Sequence, residues 1–313
     1  MENNVGILAI GTYVPQSYLS NLDKINLFEI DESFLENKIG TIKVSRKFDD
    51  QETSDLCVKA FEDLQTKITI EIADIECVVV VTQNPDGDGL PHTSAIIHKK
   101  LNLPESCAVF DISLGCSGFV YALSVIQSFM NSNGMTNGLL FTCDPYSKIV
   151  NENDKNTSLL FGDAATVSYI GTNPVFSSVS FKFGSRGSEG ESLKSTNNVL
   201  SMDGRAVFTF SATAVPKQIY SLLEQNNISI ESIDLFMFHQ GSKYIVDTLT
   251  KRLNLDPIKV PSNLNGIGNT VSSSLPLLLA DYINDTKINT LLLSGFGVGL
   301  SWASTILKRT HIK

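Results

Sequence analysis

An excess of positive charge is missing from this 313-residue chain: 24 lysines and arginines stand against 33 aspartates and glutamates, a formal net charge of −9. That balance argues against a general nucleic-acid binder, while leaving room for a local basic patch toward a phosphorylated ligand or an acidic carrier protein. Long apolar runs are missing too, since no stretch approaches the roughly 18 uninterrupted apolar residues of a membrane span. The amino terminus, Met1-Glu-Asn-Asn-Val-Gly-Ile, places an acidic residue and no basic region ahead of a short apolar run, unlike a secretory signal. A soluble, cytoplasmic protein without a membrane partner is expected. Cysteine is sparse: Cys57, Cys77, Cys107, Cys116 and Cys143 are odd in number, widely spaced and without a C-x-x-C pair, which fits reduced thiols better than disulfides or zinc ligands. Histidine is scarcer still, so a mechanism needing an imidazole must choose among His92, His98, His239 and His311, the last in the C-terminal tail. Signs of disorder are absent: 42% hydrophobic and 18% charged residues are those of an ordinary globular protein.

What is present is alternation. Apolar, β-rich runs occur at 6–10, 75–82, 108–112, 139–143, 165–170, 235–238, 290–294 and 302–307, and helical patterns at 53–65, 93–101, 116–130, 209–225, 243–253 and 272–282. Such alternation predicts a layered α/β architecture with buried sheets. The grammar also repeats weakly: Asp74-Ile-Glu-Cys-Val-Val-Val-Val-Thr82 is echoed by Ser229-Ile-Glu-Ser-Ile-Asp-Leu-Phe-Met-Phe-His239, and Phe141-Thr-Cys-Asp144 by Leu292-Leu-Ser-Gly295. Two halves, residues 1–172 and 173–313, are expected, with the seam at Gly171-Thr-Asn-Pro174. The glycine- and serine-rich stretch 184–198 reads as a surface loop.

Three places stand out chemically. Cys116 lies where the strand 107–112 meets a small-residue turn and a helical pattern, with Gly115 and Gly118 allowing the chain to turn tightly. A thiol at a helix N-terminus has its pKa lowered by the macrodipole and the unpaired N–H groups, which favours a nucleophilic thiolate. The bland reading of the same residue is a small buried core cysteine. His239 ends an apolar strand, where a side chain points into the crevice in which α/β proteins bind ligands; a satisfied hydrogen-bonding histidine is the plainer alternative. Asn269 sits in Asn265-Gly-Ile-Gly-Asn269-Thr, just before a small-residue helix, where Gly266 and Gly268 permit an unusual backbone, though an Asn after Gly is usually a turn former.

Taken together, Phe110-Asp-Ile-Ser-Leu-Gly-Cys116-Ser-Gly-Phe119, Phe161-Gly-Asp163-Ala-Ala165, His239-Gln240 and Gly268-Asn269-Thr270 occur in an order and spacing that resembles the ketoacyl-acyl carrier protein synthase III family, and the likeness runs from Gly6 to Ser304. The resemblance implies a thiolase-like fold: five αβαβα layers built from two duplicated halves with mixed five-stranded sheets, usually as a homodimer. It implies a condensing acyltransferase in which Cys116 accepts the acyl group and His239 and Asn269 hold the malonyl thioester carbonyl during decarboxylation. The backbone N–H groups of Cys116 and of the turn at Val298 would form the oxyanion hole. Acyl-coenzyme A or an acyl-carrier protein thioester and malonyl-acyl carrier protein would be the substrates, with no metal and no bound cofactor.

The chemistry is coherent without the family. A Claisen condensation needs a covalent thioester store and two neutral donors to stabilise the oxygen that gains charge as carbon dioxide leaves.

Departures from the family pattern supply further candidates. Where the family commonly carries a tryptophan and an arginine for the coenzyme A nucleotide, this chain has Phe34 and Lys38, which leaves coenzyme A and a carrier protein both open as acyl donor. After His239 the family often has Gln-Ala-Asn followed by an arginine, whereas this chain has Gln240-Gly241-Ser242-Lys243-Tyr244, with the asparagine missing and a lysine or tyrosine near the arginine's place. Leu90, in Asn84-Pro-Asp-Gly-Asp-Gly-Leu-Pro91, belongs to a region that reaches across the family's dimer toward the acyl pocket. Phe296 beside the Val298 turn completes the substrate-binding candidates. Two other readings are a non-condensing acyltransferase that hands the acyl group to an alcohol or amine, and a silent thiolase-fold subunit that shapes a partner.

Overall fold

The computed structural model describes residues 5–310; His311 lies outside them. The first half forms a sheet from β1 (Gly6–Tyr13), β2 (Cys77–Val81), β3 (Ala108–Ile112), β4 (Asn137–Cys143) and β5 (Ala165–Gly171), in the order β3-β2-β4-β5-β1. β2 runs parallel to both of its neighbours, and β5 runs antiparallel to β4 and β1. The second half repeats this arrangement with β6 (Phe176–Ser185), β7 (Leu235–Phe238), β8 (Thr290–Gly297) and β9 (Ser301–Arg309), in the order β7-β8-β9-β6. The two sheets touch edge to edge through one pairing, Ile7 with Phe176.

Each sheet is covered by helices on both faces, which is why its central strands are apolar at every position. In β2, Val79 and Val81 point inward and Val78 and Val80 outward, and all four are fully buried. The outward face carries α1 (Thr53–Lys67) and α2 (Thr93–Leu101), with Leu56, Phe61 and Leu64 of α1 in the same core as Val78, Val80 and Phe141. Between the sheets lie α3 (Gly118–Asn133) and α6 (Ser274–Ala280). α3 is rich in buried apolar residues because it faces a sheet on either side. The far face of the second sheet carries α4 (Gly204–Gln225) and α5 (Lys243–Arg252), whose Phe210, Val215, Ile219 and Leu249 meet Phe236, Phe238, Leu292 and Ile306. The result is the expected α/β thiolase-like stack of five layers.

Four details differ from the sequence reading. The second sheet counts four strands among the described residues, because the stretch after α5 holds Asp256-Pro257 and Pro261 and turns through a single helical turn at Pro257–Lys259; proline has no N–H for a ladder. β6 was not legible, since its serine-rich Phe176-Ser-Ser-Val-Ser-Phe-Lys-Phe-Gly-Ser185 lacks a clean apolar run, yet it pairs with β9 along nearly its whole length. The stretch 184–198 is not a simple surface loop: it ends β6, makes a helical turn at Gly187–Ser192 and enters a hairpin, Leu193–Thr196 with Val199–Met202, anchored by buried Leu193 and Leu200. The helix expected from Cys116 begins at Gly118, two residues later.

Candidate active site

Cys116 sits in the turn between β3 and α3, where the Gly118 N–H donates to the Gly115 carbonyl at 2.7 Å and closes the bend. The turn folds under β8. A Cβ on Gly297 would lie 2.6 Å from Cys116 Sγ, and one on Gly295 would lie 2.6 Å from the Cys116 carbonyl oxygen, so both positions require glycine. The backbone N–H groups of Val298 and of Cys116 itself lie near the sulfur and favour its charged form. Even so, burial pushes the thiol up to about 12, with the nearby Asp144 carboxyl adding to the rise. The expectation of a lowered pKa is thus corrected. At 4% exposure, loss of hydration outweighs the helix end, which begins beyond the thiol, and the resting group is a protonated thiol.

His239 follows the last residue of β7, and its backbone N–H donates to the Ser294 carbonyl at 2.9 Å, continuing the pairing of β7 with β8. Its Nδ1 lies 2.7 Å from Ser274 Oγ at the start of α6, and its ring stands edge-on to Phe296 at 5.6 Å. This leaves Nε2 for a ligand. Burial drives the imidazole down to about 3, only partly offset by the nearby Val271 backbone, so the ring is neutral at neutral pH.

Asn269 is held by a parallel bridge to Phe161: its N–H donates to the Leu160 carbonyl at 2.8 Å, and its carbonyl accepts from the Gly162 N–H at 2.9 Å. Gly268 before it has φ 86°, and a Cβ there would strike the Leu160 carbonyl at 2.6 Å, so this glycine is obligatory. The Asn269 Oδ1 accepts the Val271 N–H at 2.9 Å. That bond fixes the amide's orientation and commits its oxygen, so the NH₂ is the end that remains to donate. Val271 itself adopts φ 53°, a costly conformation for a β-branched residue. The Phe161-Gly-Asp163 motif braces this region, since the buried Asp163 carboxylate accepts the backbone N–H groups of Lys47 and Ser147 at 2.9 and 3.2 Å.

A cavity of about 200 Å³ unites Cys116, His239, Asn269 and Phe296 at its inner end with Phe34 and Lys38 nearer its mouth. There Lys38 Nζ lies 3.6 Å above the Tyr244 ring, itself stacked on Phe208, and Lys155 lies 5.2 Å from the Phe34 ring. Two candidates are not brought to it. Leu90 is 92% exposed on its loop, and Lys243 pairs with Asp247 at 2.6 Å and faces a neighbouring groove along α5. Val298 contributes through its backbone alone. Ser274 was not singled out from sequence, because it acts through a contact with His239, 35 residues away in the chain, and neither was Val271, whose N–H orients Asn269. Among the described residues no group of three or more His, Cys, Asp and Glu side chains is placed to hold a metal ion, and no helix is long and apolar enough to cross a membrane.

Fold and cavity together define a thiolase-type acyltransferase. Comparison with known proteins narrows this. Residues 110–187 match the model of 3-oxoacyl-[acyl-carrier-protein] synthase III, and residues 223–309 match that of its C-terminal region. The chain is 33% identical to beta-ketoacyl-[acyl-carrier-protein] synthase III of Streptococcus mutans, over 95% of this chain and 96% of that protein. With the Streptococcus sanguinis enzyme of the same name it shares 32% identity over 97% and 99%. The crystal structure of the Thermus thermophilus synthase III superposes with a TM-score of 0.90 at 29% identity, covering 97% of this chain and 99% of that one. The priming β-ketosynthase of the R1128 polyketide pathway superposes with a TM-score of 0.89 at 25% identity, covering 100% and 98%. The chain belongs to the 3-oxoacyl-[acyl-carrier-protein] synthase III family of condensing acyltransferases.

Proposed function

We propose that this protein loads an acyl group from acyl-coenzyme A or an acyl-carrier thioester onto Cys116 and condenses it with malonyl-acyl carrier protein to give a 3-oxoacyl thioester. The observation that carries the reading is the single cavity holding Cys116, His239 and Asn269, with the Val298 N–H near the sulfur. In the first step Cys116 Sγ bonds to the thioester carbonyl carbon, the bond from that carbon to the donor sulfur breaks, and the Cys116 proton passes to the leaving thiolate. The N–H groups of Cys116 and Val298 stabilise the tetrahedral oxyanion. In the second step the malonyl carboxylate leaves as carbon dioxide and its electron pair becomes an enolate. His239 Nε2–H and the Asn269 NH₂ donate to the enolate oxygen, both neutral and both desolvated, which strengthens each interaction. The enolate carbon attacks the acyl carbon, Cys116 leaves and takes up one proton, and the 3-oxoacyl thioester departs.

Lys38 and Lys155 at the mouth support an anionic substrate arm entering there, although the whole chain is acidic. We further propose a homodimer of cytoplasmic location. β3 is an edge strand whose residues are all half-buried, with Val109, Phe110 and Ile112 on it, a surface suited to joining a second copy; Leu90 would act across that interface. Five free cysteines agree with a reducing compartment. A division of the chain at 172/173 is supported by the turn between β5 and β6.

Intact-mass measurement after incubation with acyl thioesters tests the first step, and carbon dioxide release from malonyl-acyl carrier protein tests the second. Cys116→Ala should abolish acylation but keep decarboxylation, while Asn269→Ala should lose decarboxylation. Transfer of the acyl group to a hydroxyl or amine with no malonyl consumed would favour the non-condensing alternative.

A further inference from the structure

We propose that Ser117 and Ser301 are a positioning pair that sets the register between Cys116 and the turn bearing the Val298 N–H, so that acyl transfer depends on their mutual hydrogen bond while malonyl decarboxylation does not. The inference rests on Cys116 as the acyl carrier and on the oxyanion hole proposed above. Two N–H groups stabilise one oxyanion only when both aim at the same point. Here they come from separate turns, one after β3 and one after β8. The glycines at 295 and 297 let Cys116 and Ser117 approach β8 closely, and such contact fixes a distance but not a register. The Val298 turn is weakly specified by its own residues, since Val298 stands between Gly297 and Gly299, the latter at φ 133°, a conformation that suits glycine alone.

A relay of two hydroxyls joins the turns. Ser117 Oγ lies 2.6 Å from Ser301 Oγ, 184 residues away in the chain, and Ser301 Oγ donates to the Val298 carbonyl at 3.0 Å. A hydroxyl has one proton to donate. That of Ser301 is directed at the carbonyl, so Ser301 accepts from Ser117, and the relay runs from Ser117 through Ser301 to Val298. Both serines are buried, at 1% and 5% exposure, where hydrogen bonds are stronger than in water. Each end is anchored. Ser301 opens β9, paired with Gly297 of β8 and with Ser185 of β6. Ser117 directly precedes α3, where a serine ordinarily caps the helix with its hydroxyl; it makes no cap bond, and its hydroxyl turns to Ser301 instead. His239 and Asn269 are held by other contacts, namely Ser274 Oγ, the Val271 N–H and the bridge to Phe161, so the relay bears on the oxyanion of acyl transfer and not on the decarboxylating pair. That oxyanion develops only on the way through the tetrahedral state, so loss of the relay lowers the maximal loading rate rather than the affinity for the donor.

The test compares two half-reactions of the full-length protein: single-turnover acyl-mass gain at saturating acetyl-, butyryl- or hexanoyl-coenzyme A or the matching acyl-carrier thioester, and carbon dioxide release from malonyl-acyl carrier protein with no acyl donor present. Ser117→Ala and Ser301→Ala should each slow maximal loading about threefold to tenfold, the scale of one lost hydrogen bond, with decarboxylation within about twofold of wild type. The double variant should load no more than about twofold slower than the slower single one, because both substitutions break the same relay. Ser301→Thr keeps the hydroxyl and should restore loading to within about threefold of wild type. If one alanine variant does not fold, the other breaks the same bond and makes the comparison. Folded alanine variants that load less than about threefold slower than wild type, that slow both half-reactions alike, or whose effects multiply in the double variant would overturn the inference alone. Absence of any acyl mass on wild-type Cys116 from every thioester would overturn the proposed function, and this inference with it.

Discussion

Gly297→Ala is the most exacting test of how the nucleophile is placed. The added methyl would lie 2.6 Å from Cys116 Sγ and 2.8 Å from Cys116 Cβ, where ordinary contact begins at 3.4 Å. The thiol must give way by close to 1 Å, and it cannot do so by rotation alone, because its own Cβ is also too close. Movement of the turn is opposed on the other side by Gly295, which leaves no room under the Cys116 carbonyl. A displacement of about 1 Å at a reacting atom can cost about 100-fold in rate, and overpacking of this kind costs about 1–3 kcal/mol in stability. The expected outcome is a protein that still folds, melts a few degrees lower and acquires acyl mass on Cys116 roughly 100-fold more slowly in a single-turnover, intact-mass time course. Serine at the same position should behave alike, since the obstruction is the Cβ. A folded Gly297→Ala protein that acylates within about threefold of wild type would refute the claim that β8 sets the sulfur's position.

Other expectations follow from the same geometry. Asn269→Ala should lower malonyl decarboxylation by about 10²–10³, the usual effect of losing one preorganised donor, while acyl loading on Cys116 falls far less; radiolabelled carbon dioxide release and intact mass separate the two. Ser274→Ala removes the partner of His239 Nδ1 and should slow decarboxylation by roughly threefold to tenfold, matching a hydrogen bond worth about 0.5–1.5 kcal/mol; an unchanged rate would show that Phe296 and the backbone orient the ring unaided. Protonation also links to stability. His239 falls from 6.5 to about 3 on folding, so below pH 6.5 the unfolded chain binds a proton that the native ring refuses, and its contribution is lost as pH falls toward 3. Asp144 rises from 3.8 to about 6 and acts in the opposite sense, its contribution being present below pH 3.8 and lost as pH rises through 6. Urea melts at pH 7.5 and 4.5 should therefore show a smaller loss of stability on acidification for His239→Gln than for wild type, and an equal loss would contradict a buried neutral imidazole.

Much of the fold was legible in the sequence because its signals are local. The all-apolar Cys77–Val81 and Leu235–Phe238 runs, the capped helix at Thr53 and the Gly115-Cys-Ser-Gly118 turn each encode their conformation within a few residues. β6 escaped because a serine-rich strand is specified by its partner β9 rather than by its own pattern. The fifth strand of the second sheet was an expectation from the duplication that Pro257 and Pro261 defeat locally.

At the site, motifs in register single out Cys116, His239 and Asn269 as the proposed thiol, imidazole and amide, and for the first two the chain has only five cysteines and four histidines to choose from. Tertiary structure decided the rest, because it depends on what is excluded from a shared volume. Burial, not the helix end, sets the protonation of the thiol and the imidazole. Ser274 and Val271 aim two side chains that lie 30 residues apart in the chain, His239 and Asn269. The chain by itself determines which groups are available for reaction, whereas the desolvation, orientation and free space that govern what those groups do come from atoms distant in sequence, and only packing brings them together.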